Sequence, residues 1–155
     1  MQTVAGYAAV FNSITDIGGY FREQIAPGAF DSALSADVRA LFNHDTGLVL
    51  GRTTASTLRL SQDSHGLAVE IDMPDTALAR DLTVSMKRGD ITGMSFGFMV
   101  TKQTWDETGD TPLRTIEAVD LFEVSIVTFP AYADTEVAVR ALDAFRSERR
   151  TQNFN

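Results

Sequence analysis

Gly93-Met94-Ser95-Phe96-Gly97-Phe98-Met99-Val100 decides between two folds. A serine with glycines two residues to either side has the spacing of the nucleophile elbow of α/β hydrolases, where a strand ends at the serine and a helix begins. Here Phe98-Met99-Val100 continues the apolar run, so the stretch reads as one strand over Thr92–Lys102. Alternation places Phe96 and Phe98 on one side of it and Ser95 with Gly97 on the other. The elbow is rejected on that context. Gly93 and Gly97 leave room around the Ser95 hydroxyl for a substrate backbone, or they simply let a small-residue strand pack closely.

Outward from this strand the same period recurs. Thr3–Phe11, Tyr20–Ile25, Val38–His44, Val49–Thr54, Thr57–Leu60 and Leu67–Met73 read as strands on the N-terminal side, separated by turn signals such as Gly18-Gly19 and Pro27-Gly28. Leu67, Val69, Ile71 and Met73 alternate cleanly with Ala68, Glu70 and Asp72. Phe30–Leu34 is a short helical turn. A helix is expected over Thr76–Arg88, with Asp75 as N-cap, Gly89 as its stop and Leu78, Leu82 and Met86 on its buried face. Arg114–Thr128 returns to the strand period, and a second helix is expected over about Thr135–Arg146. Periodicity is lost from Ser147, so the chain divides into one domain over 1–146 and a polar tail over 147–155. The fold class is α+β: one β-rich domain with two flanking helices.

Composition excludes several classes of function. The 155 residues suffice for one core, and 44% apolar with 22% charged content is that of a globular domain. No apolar run approaches the length of a membrane span, and the N-terminal residues lack the basic and apolar regions of a secretory signal, so an unexported protein is expected. The sequence contains no cysteine, which removes thiolate catalysis and cysteine-held zinc, and no cofactor or metal is expected. Thirteen Lys and Arg against 21 Asp and Glu give a net charge of −8, which opposes nucleic-acid binding.

The search for a catalytic base is short, because the sequence has only 2 histidines. His65 sits in the polar turn Ser64-His65-Gly66. His44 closes the strand Val38–His44, where the two-residue period aligns it with Val38, Ala40 and Phe42. Glu123 stands among the mostly apolar residues of Asp120-Leu121-Phe122-Glu123-Val124-Ser125-Ile126-Val127 and requires a partner there. A histidine held by that carboxylate would have its tautomer fixed; an ion pair with Arg39 or Arg52, or an edge position facing solvent, would satisfy it equally. Ser125 is a rival nucleophile on the face of Glu123, without flanking glycines. Read one at a time, Ser95 and His44 each fit a structural role better than a catalytic one.

Taken together, Gly6-Tyr7-Ala8-Ala9-Val10-Phe11, Ile25-Ala26-Pro27-Gly28-Ala29-Phe30, Leu41-Phe42-Asn43-His44-Asp45, Gly93-Met94-Ser95-Phe96-Gly97-Phe98 and Glu123-Val124-Ser125-Ile126-Val127-Thr128-Phe129-Pro130-Ala131-Tyr132 resemble the prohead (procapsid) maturation proteases of tailed phages, in that family's order. Those proteases share a fold with the herpesvirus capsid-maturation protease, assemblin. The resemblance implies a β-rich, herpesvirus-protease-like barrel with flanking helices, and a serine endopeptidase with Ser95 as nucleophile and His44 as base. The acidic third member falls on Glu123, with His65 as the alternative because the herpesvirus relatives use a second histidine. Implied substrates are a scaffold protein or the scaffolding segment of a major capsid protein, and the chain itself, cut inside an immature capsid in the host cytoplasm. The tail after Phe145 is a candidate self-cleavage region, and Phe129-Pro130-Ala131-Tyr132 a candidate source of oxyanion-hole N–H groups. A homo-oligomeric arrangement is left open. The alternative is a catalytically inactive assembly protein of the same fold; an esterase is disfavoured by the missing elbow.

Overall fold

In the computed structural model, which describes residues 2–129 and 145–147, the strands are β1 (Thr3–Val10), β2 (Thr15–Ile17), which the sequence reading did not anticipate, β3 (Phe21–Ile25), β4 (Arg39–Phe42), β5 (Asp45–Arg52), β6 (Leu58–Gln62), β7 (Gly66–Asp72), β8 (Gly93–Asp106) and β9 (Leu113–Val127). One helix, α1 (Ala77–Arg88), lies between β7 and β8. The class is mixed α+β and strand-rich, as the alternation requires.

The strands form two sheets. β1, β7 and β6 make an antiparallel three-stranded sheet in the order β1-β7-β6. The larger sheet is organised on β9. Along one edge β8 pairs with it antiparallel over its whole length, from Asp106 opposite Leu113 to Gly93 opposite Val127. The other edge takes two shorter strands in tandem, both parallel to it: β3 against Leu113–Ile116 and β4 against Glu123–Ile126. β2 and β5 extend these outward.

The core lies where the two sheets and α1 meet. Phe30, Leu67, Val69, Ile71, Ile116, Val124 and Ile126 are essentially fully buried there. Each such side chain stabilises the fold by about 1.5–3 kcal/mol. Phe96 packs edge-on against Phe30 with centroids 5.4 Å apart and stacks on Phe98 at 4.5 Å, so the apolar side of β8 is the core side. The opposite side, with Ser95 and Gly97, is thereby turned away from this core. A smaller cluster of Ile17, Phe21 and Trp105 closes the far end of β8, where Phe145 stacks on Trp105 at 5.3 Å.

Several expectations are corrected. The strands do not close into a barrel; among the described residues they form two distinct sheets. The N-cap of α1 is Thr76, whose hydroxyl accepts from the Ala79 N–H at 3.2 Å, while Asp75 pairs with Arg80 instead. Gly89 ends the helix at φ 82°, as expected. The strand expected over Val38–His44 stops at Phe42, because Asn43 and His44 both turn back with positive φ. The second helix falls mostly outside the described residues, of which 145–147 are helical; of the tail, only Ser147 is described. Among the described residues no helix is long and apolar enough to cross a membrane.

Candidate active site

β4 and β5 are joined by a two-residue turn, Asn43-His44, with φ of 51° and 60°. Positive φ at both positions is the type I′ geometry that matches the twist of a hairpin, and asparagine tolerates it better than most residues. Asn43 also anchors the turn. Its backbone N–H donates to the Ile126 carbonyl at 2.9 Å, its Oδ1 accepts from the Thr128 N–H at 2.9 Å, and its Nδ2 donates to Thr128 Oγ1 at 3.3 Å. The tip of the hairpin is thus fastened to the end of β9.

This anchoring sets His44 over β9, with a side chain 43% exposed. It does not share the buried face of Val38 and Ala40. The His44 backbone N–H donates to Ser125 Oγ at 3.0 Å, and its Nδ1 meets Glu123 Oε1 in a short contact. A carboxylate only accepts, so His44 Nδ1 carries the proton of this contact, and in the neutral ring Nε2 is then the acceptor. Ser125 donates its hydroxyl proton to Glu123 Oε2 at 2.6 Å. Both carboxylate oxygens of Glu123 are therefore held.

The β8–β9 ladder brings the third element alongside. Ser95 stands opposite Ser125 and Gly97 opposite Glu123, so residues of both strands share the face that carries His44. Ser95 is 4% exposed and Ser125 fully buried. Among the described residues no hydrogen bond joins Ser95 to His44.

The other expectations resolve by position. Arg39 and Arg52 are not partners of Glu123; both pair with Asp37, at 3.8 and 2.6 Å, and hydrogen bonding to Arg52 holds the Asp37 carboxyl below its ordinary range. His65 lies in the turn that joins β6 to β7 of the other sheet, with its ring edge-on to Tyr7 at 4.5 Å. Phe129 is exposed, and Pro130, Ala131 and Tyr132 lie outside the described residues. Two contributors were missed as such in the sequence. Asn43 carried a signal in its tolerance of positive φ; Ser125 carried one in its two-residue spacing from Glu123.

Comparison with known proteins places the chain in a known family. Residues 1–149 match the family model of the Caudovirus prohead serine protease, and the chain belongs to that family. It is 36% identical, over 157 aligned positions covering 96% of its length, to the prohead protease of Enterobacteria phage HK97. The chain spans 65% of that curated relative. No solved structure matches it.

Proposed function

We propose that this chain is a serine endopeptidase of capsid maturation in which Ser95 is the nucleophile, His44 its general base and Glu123 the group that orients the base. The observation that carries the reading is the Glu123 carboxylate on His44 Nδ1, with Ser95 on the adjoining strand of the same sheet face, in a chain of the prohead protease family. Free-enzyme catalytic hydrogen bonds are often long and tighten only with substrate, so the separate Ser95 and His44 side chains are consistent with it.

In the reaction, Ser95 Oγ attacks the scissile carbonyl while His44 Nε2 takes its proton. The tetrahedral oxyanion collapses to an acyl-enzyme as His44 protonates the leaving amine, and water then repeats the sequence to release the acid. Glu123 keeps the imidazole in the tautomer that accepts at Nε2 and stabilises the imidazolium. Ser125, with its hydroxyl engaged by His44 and Glu123, supports the base and is not the nucleophile. The substrates under this reading are scaffold protein, the scaffolding segment of a major capsid protein and the chain itself, inside the procapsid. The likeness to assemblin belongs to this reading too, and is supported by the β-rich α+β class and the histidine–serine pair.

Incubation of the chain with procapsid proteins, followed by intact mass measurement, tests the proposal. Discrete fragments that disappear with Ser95→Ala and with His44→Ala are expected. Unchanged processing by Ser95→Ala would overturn the nucleophile, and no processing of procapsid-borne substrate by the native chain would favour an inactive assembly protein.

A further inference from the structure

We propose that Gly97 is a positioning residue of this site, whose missing side chain is the space that the Glu123 carboxylate occupies to reach His44. The inference rests on the protease reading for its catalytic consequence but not for its geometry. Gly97 lies directly opposite Glu123 in the β8–β9 ladder. A Cβ built there would fall 2.6 Å from Glu123 Oε1, 3.1 Å from its Cγ and 3.2 Å from its Cδ. Methyl and carboxylate cannot share that volume.

The Glu123 side chain has little freedom to step aside. Cγ and Cδ are close as well as the terminal oxygen, so rotating the carboxylate alone would move Oε1 off His44 and still leave both carbons in contacts tighter than ordinary packing. Both oxygens are also engaged, Oε1 by His44 Nδ1 and Oε2 by the Ser125 hydroxyl. Nor is the glycine required by its backbone. Gly97 is absent from the positive-φ positions, so an L-residue fits its conformation and the constraint is steric alone. The role is distinct from admitting substrate to Ser95, the use the sequence pattern by itself assigns to this glycine.

Alanine at position 97 would push the carboxylate off His44 and release the ring to carry its proton on Nε2, where it cannot accept one from a serine. The test uses the full chain labelled with 15N-histidine, in which His65 is the internal reference. In the native protein the His44 proton is expected on Nδ1; in Gly97→Ala that tautomer is lost, as in Glu123→Ala, with His65 unchanged. Ser95 acylation by a fluorophosphonate, followed by intact mass, should fall in Gly97→Ala by about as much as in Glu123→Ala, on the order of 10²–10⁴-fold. The Gly97→Ala/Glu123→Ala double variant should be no slower than Glu123→Ala alone, because no carboxylate remains to displace. Its thermal midpoint should lie above that of Gly97→Ala for the same reason, and if Gly97→Ala does not fold, the double variant should.

Retention of the Nδ1 proton in Gly97→Ala, losses that multiply in the double variant, or a double variant no more stable than Gly97→Ala would each overturn the inference. If native protein is not acylated while the tautomer and stability couplings hold, the protease reading falls and the coupling of Gly97 to Glu123 stands.

Discussion

Ser95 and Ser125 face each other across the β8–β9 ladder, and Ser125 has its hydroxyl committed on both sides, accepting from the His44 N–H and donating to Glu123. Under the proposed reading the pair divides into a nucleophile and a support. Ser125→Ala should leave acylation at Ser95 intact in kind but slower. Loss of one buried hydrogen-bonding group costs about 1–3 kcal/mol, or roughly 5- to 150-fold in rate. Ser95→Ala should abolish the adduct altogether, and intact mass against time with a fluorophosphonate distinguishes the two.

Asn43 holds the turn by two independent means, its positive φ and its side-chain bonds to Thr128. Asn43→Gly keeps the first and loses the second; Asn43→Ala loses both. Both variants should slow Ser95 acylation, and urea unfolding should find the alanine variant less stable than the glycine variant by about 1 kcal/mol, the left-handed penalty of a Cβ.

His65 touches Tyr7 rather than any residue of the site. Substitution His65→Ala should leave kcat/KM for a peptide substrate within about twofold of the native value, the scatter of surface changes. A loss of the size caused by His44→Ala would transfer the third role from Glu123 to His65.

The three-stranded sheet carries its own pH signature. Hydrogen bonds from Arg59, and then from Thr3, hold the Asp72 carboxyl down to about 2. A carboxyl with a depressed folded pKa stabilises the fold above its unfolded value, ordinarily about 3.9, and that contribution disappears as pH falls through the folded one. In Arg59→Ala, a carbon-detected NMR titration should find Asp72 moved up toward the ordinary value. The gap in thermal midpoint between native and variant proteins should narrow from pH 5 toward pH 2.

Alternation made most of the strands legible, since burial of one face imposes the period on the residues themselves. Leu67 to Met73 and Phe96 to Phe98 are such cases. The end of β4 was not legible. Asn43-His44 lacks the glycine that usually marks a two-residue hairpin, and Val38, Ala40, Phe42 and His44 continue the period past the true end of the strand. The N-cap slipped by one residue because Asp75 and Thr76 are both good caps, and only the reach to the Ala79 N–H chooses between them. Closure was beyond reach for another reason: whether β3 and β4 share one edge of β9 depends on long-range pairing that no local pattern encodes. At the site, the unease of Glu123 among apolar residues pointed to a partner, while the choice of His44 over Arg39 and Arg52 required Asp37 to be seen taking both arginines.

β9 is the shared neighbour of β3, β4 and β8 and follows all three in the sequence, so those strands leave the ribosome before the strand that joins them. Glu123 follows His44 by 79 residues. At translation speeds of ~5–20 residues per second that interval is roughly 4–16 s. A nascent chain that holds His44 but not yet β9 lacks the carboxylate that meets its ring, so the order of the strands keeps the site unassembled until synthesis has passed the last of them.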